Sequence, residues 1–357
     1  SIARSIEKAE RTSGYEINSA LVSLAGSHVS SMNSRGVVGI SGRVIDQEDV
    51  LRALDSAQAV AIPHDREIIH VIQRGFLVDG QDGIRQPVGM HGFRLEVEAH
   101  IITASASTTE NLRKCVSMAG IEVSQFVLSP LASAEAVLSE TERTMGAAVV
   151  DLGGGTTDLA IYLNGDVWYT NVINIGSNYI TTDIAQGLRL PVDVAEEVKL
   201  HHGYAVLDEI SEEESFNVVP FSAEESTKVL RRDLVNIIEA RAEEILSLVH
   251  QEIKRSGVSG LLPAGLILTG GGSQLPGMRK LATQVTGLPA RIAKPEKMVG
   301  LTDQISSPAF STSVGLLQWA ILMSETYQIG SERPGKGKRS EGERTETFAS
   351  WFKKLLP

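Results

Sequence analysis

Two segments carry residue types that could do chemistry: Asp151-Leu152-Gly153-Gly154-Gly155-Thr156-Thr157-Asp158 and Leu268-Thr269-Gly270-Gly271-Gly272-Ser273. Runs of glycine let the backbone approach a phosphate so that its N–H groups can point at the anion. The Thr156, Thr157 and Ser273 hydroxyls add donors, and Gly153, Gly154, Gly155, Gly270, Gly271 and Gly272 clear the path. The leading carboxylate, Asp151, suits a Mg²⁺ ion that keeps most of its waters and is held through them. Neither segment is a Walker loop or a dinucleotide fingerprint. Two such turns, far apart in the chain, point to one nucleotide gripped from two sides.

The elements around them follow from pattern. Apolar runs at 147–150 and 265–268 read as buried strands leading into each glycine turn. Asn164-Gly165 is a hairpin signal, so the first motif sits at the tip of a β-hairpin. The second lies between a strand and a helix that Pro276 opens. Residues 226–256 carry Val229, Leu230, Leu234, Ile237, Ile238, Ile245, Leu248, Val249 and Ile253 at helical spacing, which predicts one long amphipathic helix ended by Gly257. Residues 17–103 read as a compact α+β insert. It has a strand at 20–25, a helix capped by Asp46, a strand at 67–78, and an alternating strand at 93–104. In the last, Glu96, Glu98 and His100 form a half-exposed face. A helix over 107–119 closed by Gly120, a strand at 121–128 and a helix after Pro130 follow.

The hairpin motif resembles the second phosphate loop of the actin/Hsp70/sugar-kinase superfamily, and the 268–273 segment resembles its adenosine loop. Ala195-Glu196-Glu197-Val198-Lys199 supplies a third piece, with Glu196 and Lys199 on one helical face. The resemblance implies contact with ribose and adenine, although the same pair also fits an ordinary surface ion pair. Within the superfamily the chain resembles the bacterial cell-division family FtsA over nearly its whole length. The segments that carry this likeness are Val22-Ser23-Leu24-Ala25-Gly26-Ser27-His28, His70-Val71-Ile72, Val78-Asp79-Gly80, Pro87-Val88-Gly89-Met90-His91-Gly92, Gly300-Leu301-Thr302-Asp303 and Ser311-Thr312-Ser313-Val314-Gly315-Leu316-Leu317.

That resemblance implies an α/β, two-lobed actin-like (ribonuclease H-like) ATPase fold with an α+β insert. The implied layout is a remnant of subdomain 1A at 1–16, 1C at 17–103, 1A at 104–143, 2A at 144–181, 2B at 182–257, 2A at 258–306 and 1A at 307–329. It further implies ATP and Mg²⁺ as cofactors and self-association into filaments. The C-terminal peptide of FtsZ would bind subdomain 2B, and other division proteins would bind 1C. The superfamily also carries a first phosphate hairpin near its N-terminus, and none lies before residue 147. The chain opens inside a helix striped by Ile2, Ala3, Ile6 and Ala9 with no capped start, so the expectation is that opening strands precede Ser1.

Residues 330–346 have almost no apolar side chains and read as a flexible linker. Beyond it, Phe348, Trp351, Phe352, Leu355 and Leu356 share one arc of a helix at 347–357, opposite Ser350, Lys353 and Lys354. This is the pattern of a helix lying in a membrane interface, with its lysines toward anionic headgroups. Docking back onto its own domain is the alternative. The FtsA resemblance implies the same membrane-targeting helix, on the cytoplasmic face of the cell membrane at the division septum.

The remaining composition excludes more than it assigns. A net charge of −11 over 357 residues argues against a broad nucleic-acid surface. No apolar run reaches the roughly 18 residues of a spanning helix. The single cysteine, Cys115, reads as a small apolar residue on a helix. His201-His202 lacks further ligands at metal spacing, and the acidic run at 208–214 reads as a solvated loop. Three functions compete. One is a membrane-tethering, ATP-binding division protein, and another is an actin-like pilus-assembly protein, which needs no lipid-binding tail. The third is a true kinase or chaperone ATPase, for which no sugar-site carboxylate or substrate domain is found. ATP turnover stays open, because in-line water positioning needs groups that the sequence does not identify.

Overall fold

The computed structural model describes residues 2–60, 62–221, 225–296 and 305–331, the last nine by backbone alone. In chain order the elements are α1 (Ile2–Ser13), β1 (Ser19–Leu24), β2 (Val29–Val44), α2 (Gln47–Gln58), β3 (Arg66–Val78), β4 (Gln81–Ile84) and β5 (His91–Ser105). Next come α3 (Ala106–Ser117), β6 (Glu122–Leu128), α4 (Ser129–Val137), α5 (Glu140–Met145), β7 (Ala147–Leu152), β8 (Thr157–Leu163) and β9 (Asp166–Ile173). The rest are α6 (Ser177–Gly187), α7 (Val192–His202), β10 (Ser215–Val218), β11 (Thr227–Leu230), α8 (Arg231–Arg255), β12 (Leu266–Thr269), α9 (Met278–Thr286), β13 (Ala290–Ile292) and α10 (Ser311–Ser331).

The framework of the site is a five-stranded sheet in the order β13-β12-β7-β8-β9. β12 runs parallel to β7 and β13, while β7, β8 and β9 form antiparallel hairpins. Both faces are covered. Ala148, Val150, Leu266 and Leu268 pack with α6, α7, α8 and α9. Ala147, Val149 and Ile267 pack with α4, α10 and β6. A strand buried on both faces reads as a continuous apolar run, which is why 147–150 was legible. Asn164 and Gly165 both have positive φ, 57° and 92°, and make the primed turn that Asn-Gly predicts.

The insert is a four-stranded antiparallel sheet, β2-β5-β3-β4, with α2 across one face. Asp46 caps α2 in a capping box with Asp49. β2 passes α2 so closely that a Cβ at Gly36 would lie 1.9 Å from the Ala53 carbonyl. The other sheet face is not half-exposed as the alternation of β5 suggests: Glu96 and His100 are buried. His100 Nδ1 lies 2.7 Å from Asn33 Oδ1, and its Nε2 lies 2.9 Å from Thr170 Oγ1 on β9. Arg74 stacks 3.7 Å over the Trp168 ring. Edge strand β9 therefore covers the polar face of the insert, a tertiary contact that strand periodicity does not encode.

Other expectations need correction. Val229 and Leu230 belong to β11, which pairs with β10, so the long helix begins at Arg231. Pro276 precedes rather than opens α9, which starts at Met278 after a left-handed Gly277. Cys115 lies on a helix as expected, α3, with its side chain exposed. The acidic run at 208–214 does keep its carboxylates exposed, as a solvated loop would, with Glu209 paired to Lys280, Glu212 to Arg232 and Glu214 to Arg231. α10 carries through Ser331, past the expected linker start at 330. The rest of the linker and the helix at 347–357 lie outside the described residues.

Candidate functional site

Strand register brings the two glycine motifs together. Asp151, next to last in β7, lies beside Thr269 of parallel β12 and opposite Asp158 of antiparallel β8. The 152–156 turn and the 270–273 loop thus leave adjacent strand ends on the same sheet edge. Gly270 has φ 81°, and a Cβ there would lie 2.2 Å from Asp151 Oδ1 and 2.6 Å from the Leu152 carbonyl. A Cβ at Gly176 would lie 2.5 Å from the Gly154 carbonyl. These glycines are close-approach positions, where only a missing side chain lets the loops meet.

Helix α6 holds the first turn from behind. The Ser177 amide donates to the Gly153 carbonyl and the Asn178 amide to the Gly154 carbonyl, each at 2.9 Å. The amide of Gly153 is used inside the turn, donating to Asp151 and Thr156 carbonyls. Gly154, Gly155 and Gly271 are left exposed, with Thr156 and Gly272 half-buried. Thr157 and Ser273 are buried and shape the loops from inside. Thr157 Oγ1 donates to the Ile175 carbonyl at 2.7 Å, and Ser273 Oγ to the Gly270 carbonyl at 2.7 Å.

Glu196 and Lys199 do share a face of α7, with Lys199 Nζ 2.7 Å from Glu196 Oε2. The pair is not a plain surface ion pair: Lys199 is buried, and its ammonium also donates to Thr181 Oγ1 at 2.8 Å. Thr181 in turn donates to Glu196. Thr181 sits one turn into α6, so this triad is tied to the helix that backs the glycine turn. Burial pushes the Glu196 carboxyl up, but the hydrogen bonds it accepts from Lys199 and Thr181, with the Lys199 charge, together outweigh that and hold it below its usual range.

The acidic pair is the electrostatic centre. Burial pushes the Asp151 carboxyl up, opposed by hydrogen bonds from Ser133 and Thr312. Burial, then the neighbouring Asp151 charge, pushes Asp158 up to about 7. Asp158 Oδ1 is buried without a hydrogen-bond partner among the described residues. Two buried carboxylates that resist ionising together are the environment a cation relieves. No cluster of three His, Cys, Asp or Glu side chains occurs among the described residues. A cation here would therefore rest on few protein ligands, the habit of Mg²⁺ held with water and phosphate. The residues present fit a Mg²⁺–nucleotide.

Asp158, Ser133, Thr312 and Thr181 were missed from sequence. Asp158 could have been found: closing the hairpin on Leu152↔Thr157 places it opposite Asp151. Ser133 and Thr312 arrive on α4 and α10 by tertiary packing and carry no local signal. The membrane-facing residues Phe348, Trp351, Phe352, Lys353, Lys354, Leu355 and Leu356 lie outside the described residues.

Comparison with known proteins sharpens what this arrangement belongs to. Residues 148–315 match the family described as cell division protein FtsA, and residues 26–103 match the SHS2 domain inserted in FtsA. The chain is 40% identical to the cell division protein FtsA of Pseudomonas aeruginosa, covering 90% of this chain and 77% of that protein. It is 43% identical to FtsA of Borreliella burgdorferi, covering 99% and 87%, and 35% identical to FtsA of Escherichia coli K12, covering 99% and 84%. Among solved structures it resembles the PilM-PilN type IV pilus biogenesis complex, with TM-score 0.61 and 15% identity over 90% of this chain and 84% of that one. It also resembles MreB5 of Spiroplasma citri bound to ADP, with TM-score 0.52 and 21% identity over 64% and 68%. At such low identity these two likenesses establish the actin-like fold alone. The sequence relatives go further: this chain belongs to the FtsA family of cell-division proteins.

Proposed function

We propose that this FtsA-family protein binds ATP with Mg²⁺ at the Asp151 turn and the Gly270 loop, polymerises, and tethers FtsZ filaments to the cytoplasmic membrane at the septum. The observation that carries the nucleotide reading is the meeting of the two glycine loops beside the buried Asp151–Asp158 pair. In this reading Gly154, Gly155, Gly271 and Gly272 present backbone to the phosphates. Glu196 and Lys199 hold the nucleoside end, and Asp151 holds Mg²⁺ through water. Bound Mg²⁺ supplies charge neutralisation for the phosphates and for the acidic pair. Thr157 and Ser273 keep the two loops in shape.

The subdomain assignment goes with it. Residues 17–103 are 1C, which meets other division proteins; 182–257 are 2B, which takes the FtsZ C-terminal peptide; and the sheet at 144–181 and 258–306 is 2A. Residues 347–357 form the membrane helix. Each large apolar side chain that inserts contributes a fraction of the ~1.5–3 kcal/mol of full burial, and helix ordering offsets part of it. One tail is thus a reversible anchor, and a filament carrying many tails becomes a firm one by effective concentration.

Two measurements test this. Wild type should bind a fluorescent ATP analogue with an affinity that rises when Mg²⁺ is added, and Asp151→Asn should lose that rise. Trp351→Glu with Leu355→Glu should abolish co-sedimentation with anionic liposomes while leaving nucleotide affinity intact. Unchanged sedimentation would end the tether reading.

A further inference from the structure

The Asp151 carboxylate is gripped by two hydroxyls from two different helices. Ser133 Oγ, on α4, donates to Asp151 Oδ2 at 2.5 Å, and Thr312 Oγ1, on α10, donates to the same oxygen at 3.0 Å. The two hydroxyl oxygens are themselves 2.9 Å apart. Ser133 is fully buried. Several other helical threonines in this fold spend their donor locally, on the carbonyl four residues back. Thr109, Thr144, Thr182, Thr283 and Thr286 all do so. Ser133 and Thr312 instead converge on one carboxylate oxygen, while Asp151 Oδ1 lies on the side of Gly270.

Their reach depends on how closely the two helices cross. A Cβ at Gly315 would lie 1.7 Å from the Ala132 carbonyl, so α10 rests on α4 backbone one residue from Ser133. Trp319, fully buried, fixes the next turn of α10. The start of α10 is fastened to the second glycine loop as well. Ser311 Oγ lies 2.6 Å from Thr269 Oγ1, and the Gly270 amide donates to the Pro308 carbonyl at 3.1 Å. One helix start thus touches the strand residue that leads into each glycine turn.

Resting on the reading that Asp151 serves a Mg²⁺–nucleotide, we infer that Ser133 and Thr312 are positioning residues. They fix the Asp151 carboxylate by filling Oδ2, so that Oδ1 alone remains for the cation's shell. The α4–α10 crossing is thereby part of the nucleotide site, although neither helix carries a glycine loop. A carboxylate held by two charge-assisted hydrogen bonds loses little freedom when a cation arrives.

The test reads the ratio of nucleotide affinity with Mg²⁺ to affinity without it, in the full chain, using a fluorescent ATP analogue. The melting temperature of each nucleotide-free protein is measured alongside. Ser133→Ala and Thr312→Val should each cut that ratio about tenfold, the weight of one hydrogen bond to a charged group. Affinity without Mg²⁺ should change by less than about twofold. Thr312→Ser, which returns the hydroxyl, should restore the ratio. A role confined to packing would lower both affinities together and would not respond to that hydroxyl. Thr312 is only half-buried, so its variants carry the test even if Ser133→Ala fails to fold. If Asp151→Asn loses the Mg²⁺ dependence while both hydroxyl variants keep it, the positioning role is wrong and the nucleotide reading stands. If wild type shows no Mg²⁺-dependent binding, the nucleotide reading fails, and the positioning role with it.

Discussion

His70 and His100 should tie the stability of this protein to pH through a window just below neutrality. Both imidazoles are buried where the insert meets the rest of the fold. His70 Nε2 accepts a hydrogen bond from the Leu128 amide at 3.1 Å, so that nitrogen must keep its lone pair. Burial lowers His70 from 6.5 to about 4, and burial together with the Arg74 and His70 charges lowers His100 to about 3. The sign follows from linkage. The native state keeps both rings neutral, while the unfolded chain takes up a proton on each below 6.5. Stability from this source is therefore present in full above 6.5 and lost as pH falls toward the folded values. At pH 5.5 the unfolded state gains about 1.4 kcal/mol per histidine, or about 3 kcal/mol for the two.

Asp158 works against this slope. Its carboxyl, pushed up to about 7 by burial and by Asp151, favours the native state as pH falls through that value. The raw stability of the wild type thus mixes two opposing terms, and variants must separate them. His70→Gln and His100→Gln keep an acceptor and remove the titration. Urea unfolding at pH 8 and pH 5.5 should show the double variant losing about 3 kcal/mol less than wild type between the two pH values. Imidazole resonances in the wild type should supply the microscopic counterpart, with both rings still neutral at pH 5.5. If the two proteins change in parallel to within about 0.5 kcal/mol, the rings are not withheld from protonation and the reasoning fails.

Three substitutions test the loop and helix geometry. Gly270→Ala puts a methyl against Asp151 and Leu152 at a φ of 81°, and should cost about 3 kcal/mol in urea unfolding as strain and overlap add. Gly315→Ala should cost about 1–3 kcal/mol by pushing α10 off the Ala132 carbonyl. It should also reduce Mg²⁺-dependent nucleotide binding, because Thr312 moves with the helix; undiminished binding would detach α10 from the site. Lys199→Met should lower nucleotide affinity roughly fivefold or more in the same fluorescence titration. Its melting temperature should change little, since Glu196 stays partly solvated.

How far the sequence reached depended on how local each signal was. The Asp151 hairpin, its Asn164-Gly165 partner turn, the Asp46 cap and the doubly buried strands were legible because each is written in a few adjacent residues. Strand β2, Val29–Val44, was missed because its Ser, Gly, Asn and Arg residues give no period-two pattern. It is held by pairing along β5 and by α2 packed against Gly36. The polar face of β5 was misread for the matching reason: His100 is buried by Thr170, a neighbour seventy positions away in the chain. Val229 and Leu230 fit a helix by spacing, yet pairing with β10 outweighed that local preference.

The candidate site divides along the same line. Its glycines and Asp151 belong to short motifs, whereas the groups that set their electrostatics come from elsewhere. Ser133 and Thr312 reach Asp151 only because α10 returns over α4, and a glycine at 315 makes that return close enough. Thr181 joins Glu196 to Lys199 only because α6 lies beside α7. A phosphate loop can be recognised by its own composition, since backbone and small residues do the binding. The protonation state of its carboxylate cannot be, because burial and hydroxyl donors are supplied by distant helices. Variation among chains that share both glycine motifs should therefore act on Mg²⁺ and nucleotide affinity chiefly through positions such as 133, 312 and 315.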